Sequence, residues 1–444
     1  MKYLIFLLLI ATTLISQEQK ALDITIYNNN FGVVKDVREF ELNKGNSTIN
    51  FRDIPEMIDA SSVKIHFDGT IIEQNYRYDL ASMQKILEKY IDKNITLKNK
   101  DEQISGKLIN AGTQIVIQKQ GGGLIMIPDI QNYNFYVDEL PAGFITKPTL
   151  VWELNSNKAG KQNIDVTYHT GGLAWEAQYV ALLNKDDSKI SLNSWVSITN
   201  NSGATFQNAN LKLMAGNVNR IRNNEILLRG KQDFAINEGG LTTAIQLEEK
   251  SFFEYHLYEL QRKTNLLNNE TKQISLFEAN SIAVNKKFVY NSYFGEQKTN
   301  AKVILEFLNT KENNLGKPFP AGVFKINKDD GSSIAFIGED QIKHTPKDEK
   351  ISLTIGDAFD VLVEEYVLNT ERISEKVTES EYEIIFKNRK DTDITIDVIK
   401  NLGQFFKIIS SDLKPDYKGS EATFKVPIKK NSELKFKMKV RYSY

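Results

Sequence analysis

The chain contains no cysteine. That excludes disulfides, thiolate chemistry and a lipid anchor on an N-terminal cysteine, so stability has to come from burial. Histidine is nearly as scarce. His66, His169, His256 and His344 are the whole complement, and no two stand at a spacing such as H-E-x-x-H. There is no G-x-S-x-G elbow. The glycine cluster Gly121-Gly122-Gly123 is not followed by the G-K-[ST] of a phosphate loop. Neither sign of charge prevails, since 56 Lys and Arg stand against 57 Asp and Glu. The clustered cationic footprint of a nucleic-acid binder is therefore missing. These absences lead us to expect no metal centre, no cofactor, no nucleic-acid partner and no catalytic set.

One long apolar run exists, and it comes first. Residues 1–16 read MKYLIFLLLIATTLIS, a lysine and then a stretch of signal-peptide length. It is short for a bilayer span, and polar Gln17-Glu18-Gln19-Lys20 follows at once. The expectation is a leader over 1–20 and export to the periplasm or cell surface. No transmembrane segment is expected after cleavage, because no later run is apolar enough to span as a helix.

The remainder alternates. From Asn163 to Gly216, four runs of period-two hydrophobicity are separated by His169-Thr170-Gly171-Gly172, Asn184-Lys185-Asp186-Asp187 and Asn200-Asn201-Ser202-Gly203. Leu173, Trp175, Ala177, Tyr179, Ala181 and Leu183 fall on alternate positions, as a strand with one buried face requires. Such a meander needs the rest of the chain to cover it. At 444 residues, several domains are expected.

The pattern predicts an all-β protein of tandem β-sandwich domains. An N-terminal β unit occupies 21–78. Over 79–140, an amphipathic helix capped by Asp79 precedes five short strands, the layout of a small SH3-like or Sm-like barrel. A central β-sandwich spans 147–345 and carries a long polar loop at 217–250. Seven strand runs over 350–444 suggest a C-terminal immunoglobulin-like sandwich. Its last run alternates Leu434, Phe436, Met438, Val440 and Tyr442 with Lys435, Lys437, Lys439 and Arg441, the mark of a buried face opposite a cationic, edge-protecting one.

Several blocks resemble one family. Leu192–Gly216, LNSWVSITNNSGATFQNANLKLMAG, is similar to the core motif of an exported bacterial family of unknown function that includes the mucoidy-inhibitor-like proteins. Phe252–Phe277, Phe336–Val361 and Glu73–Leu80 resemble its other signatures. The resemblance covers most of the chain. It implies an envelope location and a link to envelope polysaccharide, without any established catalytic or ligand residues. Many relatives carry a long coiled-coil insert where this chain has the 79–137 unit.

Five residues stand out as candidate binding positions. Trp195 falls out of phase with Ile190, Leu192, Val196 and Ile198, which puts an indole on a polar face where it can stack on a sugar or a partner. Glu339, Asp340 and His344 form the densest polar cluster of a family-like block, a carboxylate pair with an imidazole. A solvated loop closed by Pro346 explains the same residues without chemistry. His169 opens a Gly-Gly turn, and a polar ring there can simply cap it.

The reading that follows is a non-enzymatic envelope protein serving as a structural or partner-binding adaptor. The alternatives are a protein that binds or modifies cell-surface polysaccharide, and an outer-membrane-associated β protein suggested by the alternating last strand.

Overall fold

The computed structural model of the chain describes residues 18–78, 83–112, 114–128, 132–139, 147–216, 218–220, 247–292, 296–403 and 405–443. Asp79, most of the leader at 1–20 and most of the loop at 217–250 lie outside these residues. Two ends of those segments are strands: Glu18–Tyr27 begins within the expected leader, and Leu247–Phe252 takes up the end of the expected loop. The fold is all-β and multi-sheet. Among the described residues there is one α-helix, Met83–Lys89, and no helix long and apolar enough to cross a membrane.

The chain divides into two compact units. The first comprises residues up to Ala174 with Thr199–Lys212 and Lys263–Glu270, and the second holds the remainder. The region expected as one central sandwich is thus shared between them, with Thr149–Ser156 and Gly160–Thr170 in the first.

Five neighbouring strands of an eight-stranded sheet run through the first unit in the order Phe206–Ala215, Glu18–Tyr27, Phe31–Leu42, Gly160–Thr170, Ile58–His66, the first of them belonging to it as far as Lys212. A second has Thr149–Ser156 between Gly45–Arg52 and Gly69–Arg77, both pairings antiparallel. Their inward phases meet in a sandwich core. Phe40 of one sheet lies 6.2 Å from Phe51 of the other, and Phe51 lies 5.4 Å from Trp152. Trp152 is fully buried and its indole N–H donates to Gln74 Oε1 at 2.8 Å, which meets its one polar need.

The helix is followed by five antiparallel strands in the order Asn134–Tyr136, Asn94–Lys98, Gln103–Ala111, Ile115–Gln118, Leu124–Ile127. Leu87 and Tyr90 close its small core against Leu97, Leu108 and Ile117.

The run Asn163–Gly216 does form four strands, but they do not make one meander. Gly160–Thr170 stays with the first sheet, whereas Leu173–Leu183 and Lys189–Asn200 enter another. The chain leaves the first sheet at Gly172, which sits at φ +75 with the Ser202 backbone 2.5 Å from where a Cβ would stand. Only glycine accepts both conditions.

The second unit holds a five-stranded sheet, Glu270–Ala283, Lys189–Asn200, Leu173–Leu183, Gly322–Asp329, Ile334–Ile342, and a nine-stranded one. The nine run in the order Phe406–Ser411, Ser432–Ser443, Val377–Asn388, Lys350–Ser374, Gln297–Leu308, Asn285–Ser292, Ile394–Asn401, Glu421–Ile428, Asp416–Lys418. The rings of Phe406 and Tyr417, from the two terminal strands, lie 6.0 Å apart, so the sheet folds over on itself. Two of its strands, Asn285–Ser292 and Gln297–Leu308, come from before residue 350, where the pattern placed the start of a C-terminal sandwich.

A further expectation is overturned. Ser432–Ser443 is not an edge strand; it lies between Val377–Asn388 and Phe406–Ser411. Its cations meet neighbouring carboxylates instead of guarding an edge: Lys439 Nζ is 2.8 Å from Glu379, Arg441 Nε donates to Glu379 at 2.7 Å, and Lys437 faces Glu383 at 3.4 Å. Cross-strand charge pairing on a solvated face gives the same alternation in sequence as edge protection does.

Candidate functional site

A cleft of about 270 Å³ opens in the second unit, walled by Tyr255, His256, Tyr258, Phe319, Pro320 and His344. The hairpin Leu247–Phe252 and Tyr255–Leu260 supplies the first three. Gly216 lets that hairpin approach. It has φ +141, and a Cβ there would lie 2.3 Å from the Tyr255 ring. On the other wall, Phe319 and Thr345 exchange backbone hydrogen bonds at 2.8 Å in both directions. That bridge holds Pro318–Pro320 beside His344. Tyr179 donates to the Pro320 carbonyl at 2.8 Å and Tyr258 to the Pro318 carbonyl at 3.3 Å.

The two histidines are set differently. His256 Nδ1 lies 2.7 Å from Glu249 Oε1. The carboxylate accepts a hydrogen bond from Nδ1–H, which fixes the proton there and leaves Nε2 of the neutral ring as an acceptor. His344 Nδ1 instead accepts the Ala321 amide at 3.1 Å, so its neutral ring carries the proton on Nε2. Burial, and secondarily the neighbouring His256, hold His344 below the ordinary imidazole range. At the tip of the hairpin, Phe252 and Phe253 are 55% and 82% exposed. The cleft thus combines apolar rings, prolines, two imidazoles of complementary hydrogen-bonding sense and the Glu254 carboxylate at its rim. Among the described residues, no group of three or more His, Asp or Glu could hold a metal.

The five residues singled out from sequence are scattered. His344 lies in the cleft. Glu339 and Asp340 do not: Glu339 is exposed on Ile334–Ile342 opposite Lys325, and Asp340 Oδ2 accepts the Thr354 amide at 2.7 Å. Trp195 stands 36% exposed in the middle of Lys189–Asn200, away from the cleft. His169 lies in the first unit, its ring edge-on to Phe31 at 5.2 Å and its backbone amide donating to Ser62 Oγ at 2.8 Å. His256, which was not among the candidate binding positions, is the residue that joins His344.

A second polar cluster is fully enclosed. Lys400 and Glu365 are 1% and 0% exposed, with Nζ 2.7 Å from the carboxylate. Lys400 also donates to Ser292 Oγ at 2.7 Å and lies 3.8 Å from the Tyr382 ring centroid. Tyr290 donates to Glu365 at 2.6 Å. A serine beside a lysine is a pair that hydrolases use. Here Ser292 and Lys400 face each other in register across a parallel pairing, inside an apolar core of Phe386, Val398 and Phe436. Burial lowers the Lys400 ammonium and Glu365 opposes that shift. Every member has a partner, so the cluster is a polar joint of the core.

No family model matches the chain, and no curated protein matches it either.

Proposed function

We propose that the protein is an exported, non-enzymatic component of the cell envelope, in the periplasm or at the surface, that works as a partner-binding adaptor. We also assign it, on the blocks Leu192–Gly216, Phe252–Phe277 and Phe336–Val361, to the exported family that includes the mucoidy-inhibitor-like proteins. The five-stranded unit after the helix and the nine-stranded region are taken as SH3/Sm-like and immunoglobulin-like elements of that scaffold.

One observation carries the adaptor reading: two adjacent phenylalanines, Phe252 and Phe253, stand in solvent at a hairpin tip that also walls an aromatic cleft. Exposed apolar clusters of this kind mark interaction sites, and aromatic anchors dominate the energetics of interfaces. Tyr255 is half-buried behind these two rings, and the buried Tyr258 and Phe319 back it, so the exposed pair stands on a firm base.

The test is a photo-crosslinking amino acid in place of Phe253, activated in intact cells of the native host. A discrete protein adduct is expected there, and none with the same residue at exposed Lys376. Absence of an adduct at 253, or identical adducts at both positions, overturns the reading.

A further inference from the structure

A separate hollow of about 560 Å³ opens in the first unit, within the roughly 300–1,000 Å³ of small-molecule sites. Asp36 and Arg38, 2% and 7% exposed, form part of its wall. They satisfy each other. Arg38 Nη2 and Nε donate to Asp36 Oδ2 at 2.6 and 3.0 Å, Nη1 donates to the Arg52 carbonyl at 2.6 Å, and Gln19 donates to Asp36 Oδ1 at 3.1 Å. The guanidinium lies 3.9 Å from the Phe51 ring centroid. A stiff, paired charge of this kind is a preorganised wall.

Tyr168 is different. It lies on the inward face of Gly160–Thr170, is 1% exposed, and lines the hollow. Among the described residues no group bonds its hydroxyl. The oxygen is not sealed off from the hollow, so its hydrogen-bond partner has to come from there. What enters the hollow can supply the partner.

The lining restricts what that partner is. Asp36 cancels Arg38, and Lys147 pairs with Asp53 at the rim. Glu56, which also lines the hollow, has no ion-pair partner among the described residues and leaves one negative charge over. An anion is therefore disfavoured. A wholly apolar guest would strip water from Tyr168 and Glu56 and return no hydrogen bond. Gln207 and Asn268 add carboxamides, which both donate and accept. Hydroxyl groups match such a mixture because each one also does both. Leu22, Ile54 and Phe206 give the remaining wall an apolar surface for C–H groups.

We infer that this hollow binds a neutral, hydroxyl-rich molecule of the saccharide class, with the Tyr168 hydroxyl as its buried contact. The inference is independent of the cleft in the second unit and stands or falls separately from it.

The test is saturation-transfer NMR and calorimetric titration of the full chain with three neutral disaccharides, lactose, maltose and N,N′-diacetylchitobiose, and with anionic digalacturonate. At least one neutral sugar is expected to bind, with digalacturonate about tenfold weaker or worse. Tyr168→Phe should weaken binding about tenfold with an unchanged melting temperature, because the hydroxyl holds no protein group. Gln207→Trp, at the exposed rim, should block entry without touching the core. No transfer to any of the three sugars overturns the proposal. So does equal or tighter binding of digalacturonate, or unchanged sugar affinity in Tyr168→Phe. A melting temperature lowered by Tyr168→Phe at constant affinity would instead assign the hydroxyl to the fold through a buried water.

Discussion

Lys400 and Glu365 face each other at 2.7 Å in the middle of an apolar core, on strands that are not neighbours in the sheet. Two charges removed from water in this way gain little net stability, yet stranding either one is costly. Lys400→Met should lower unfolding free energy by about 3–5 kcal/mol, and Glu365→Leu by a similar amount. The double replacement should restore most of it. Urea denaturation of the three variants measures this, and additive losses in the double variant would show that the pair is not coupled.

His344 makes stability depend on pH in a definable sense. Its folded ring binds a proton less tightly than the unfolded ring does, because burial and then His256 disfavour the cation. The unfolded chain therefore takes up more protons once the pH drops below the ordinary value near 6.5. Stability present above that value should fall as the pH descends towards the lowered folded value, and the loss is complete below it. His344→Gln should flatten this part of the profile. Melting temperatures between about pH 7 and 5 provide the comparison.

Asp330 acts on a more local scale. Its carboxylate accepts the Ser332 hydroxyl at 2.7 Å and the Ser332 and Ser333 amides at 2.7 and 2.8 Å. The Ser332 hydroxyl first, and then these amides, hold it far below the ordinary range. Its stabilisation of the turn is present above the ordinary carboxylate value and is lost as pH falls through the lower folded one. Protection of the Ser332 and Ser333 amides, taken as their exchange relative to the intrinsic rate at each pH, should fall on acidification. In Asp330→Asn the acid dependence should disappear, and persistence there would point to another carboxyl.

Gly216→Ala sets a β-carbon against the Tyr255 ring and places it at φ +141. A cost of about 1–3 kcal/mol is expected from the backbone conformation alone. Because the clash falls on the hairpin that walls the cleft, the Phe253 adduct should be lost together with it. A variant of wild-type stability would show that the hairpin shifts freely.

Much of this was legible in the chain. Period-two alternation located Leu173–Leu183, Lys189–Asn200 and Ser432–Ser443 with the correct inward faces, since Trp175, Val196 and Phe436 are all buried. The buried ion pair could have been read the same way. Lys400 falls in phase with Ile394, Ile396 and Val398, and Glu365 with Val361 and Val363, so each is a charge on an inward position. An unmatched charge in a buried phase implies a partner, although the pattern does not say which.

Sheet membership was not legible. Alternation describes one strand and its faces, whereas pairing depends on which distant edges meet, and a turn at Gly172 that redirects the chain looks like any hairpin in sequence. Asp340 illustrates the same limit at a site. It sits beside Glu339 and His344 in sequence, but the strand sends its carboxylate to the Thr354 amide while His344 goes to the cleft.

By itself the sequence determined that this is an all-β chain without thiol chemistry, and which residues of each strand are buried. Those are local consequences of hydrophobic period and composition. The tertiary structure decided that His256 and His344 share a cleft, that Ser292, Glu365 and Lys400 meet, and that the Tyr168 hydroxyl opens on a hollow with no partner among the described residues. Each of these depends on long-range closure of the chain, where contacts between remote strands outweigh any preference written into a short segment.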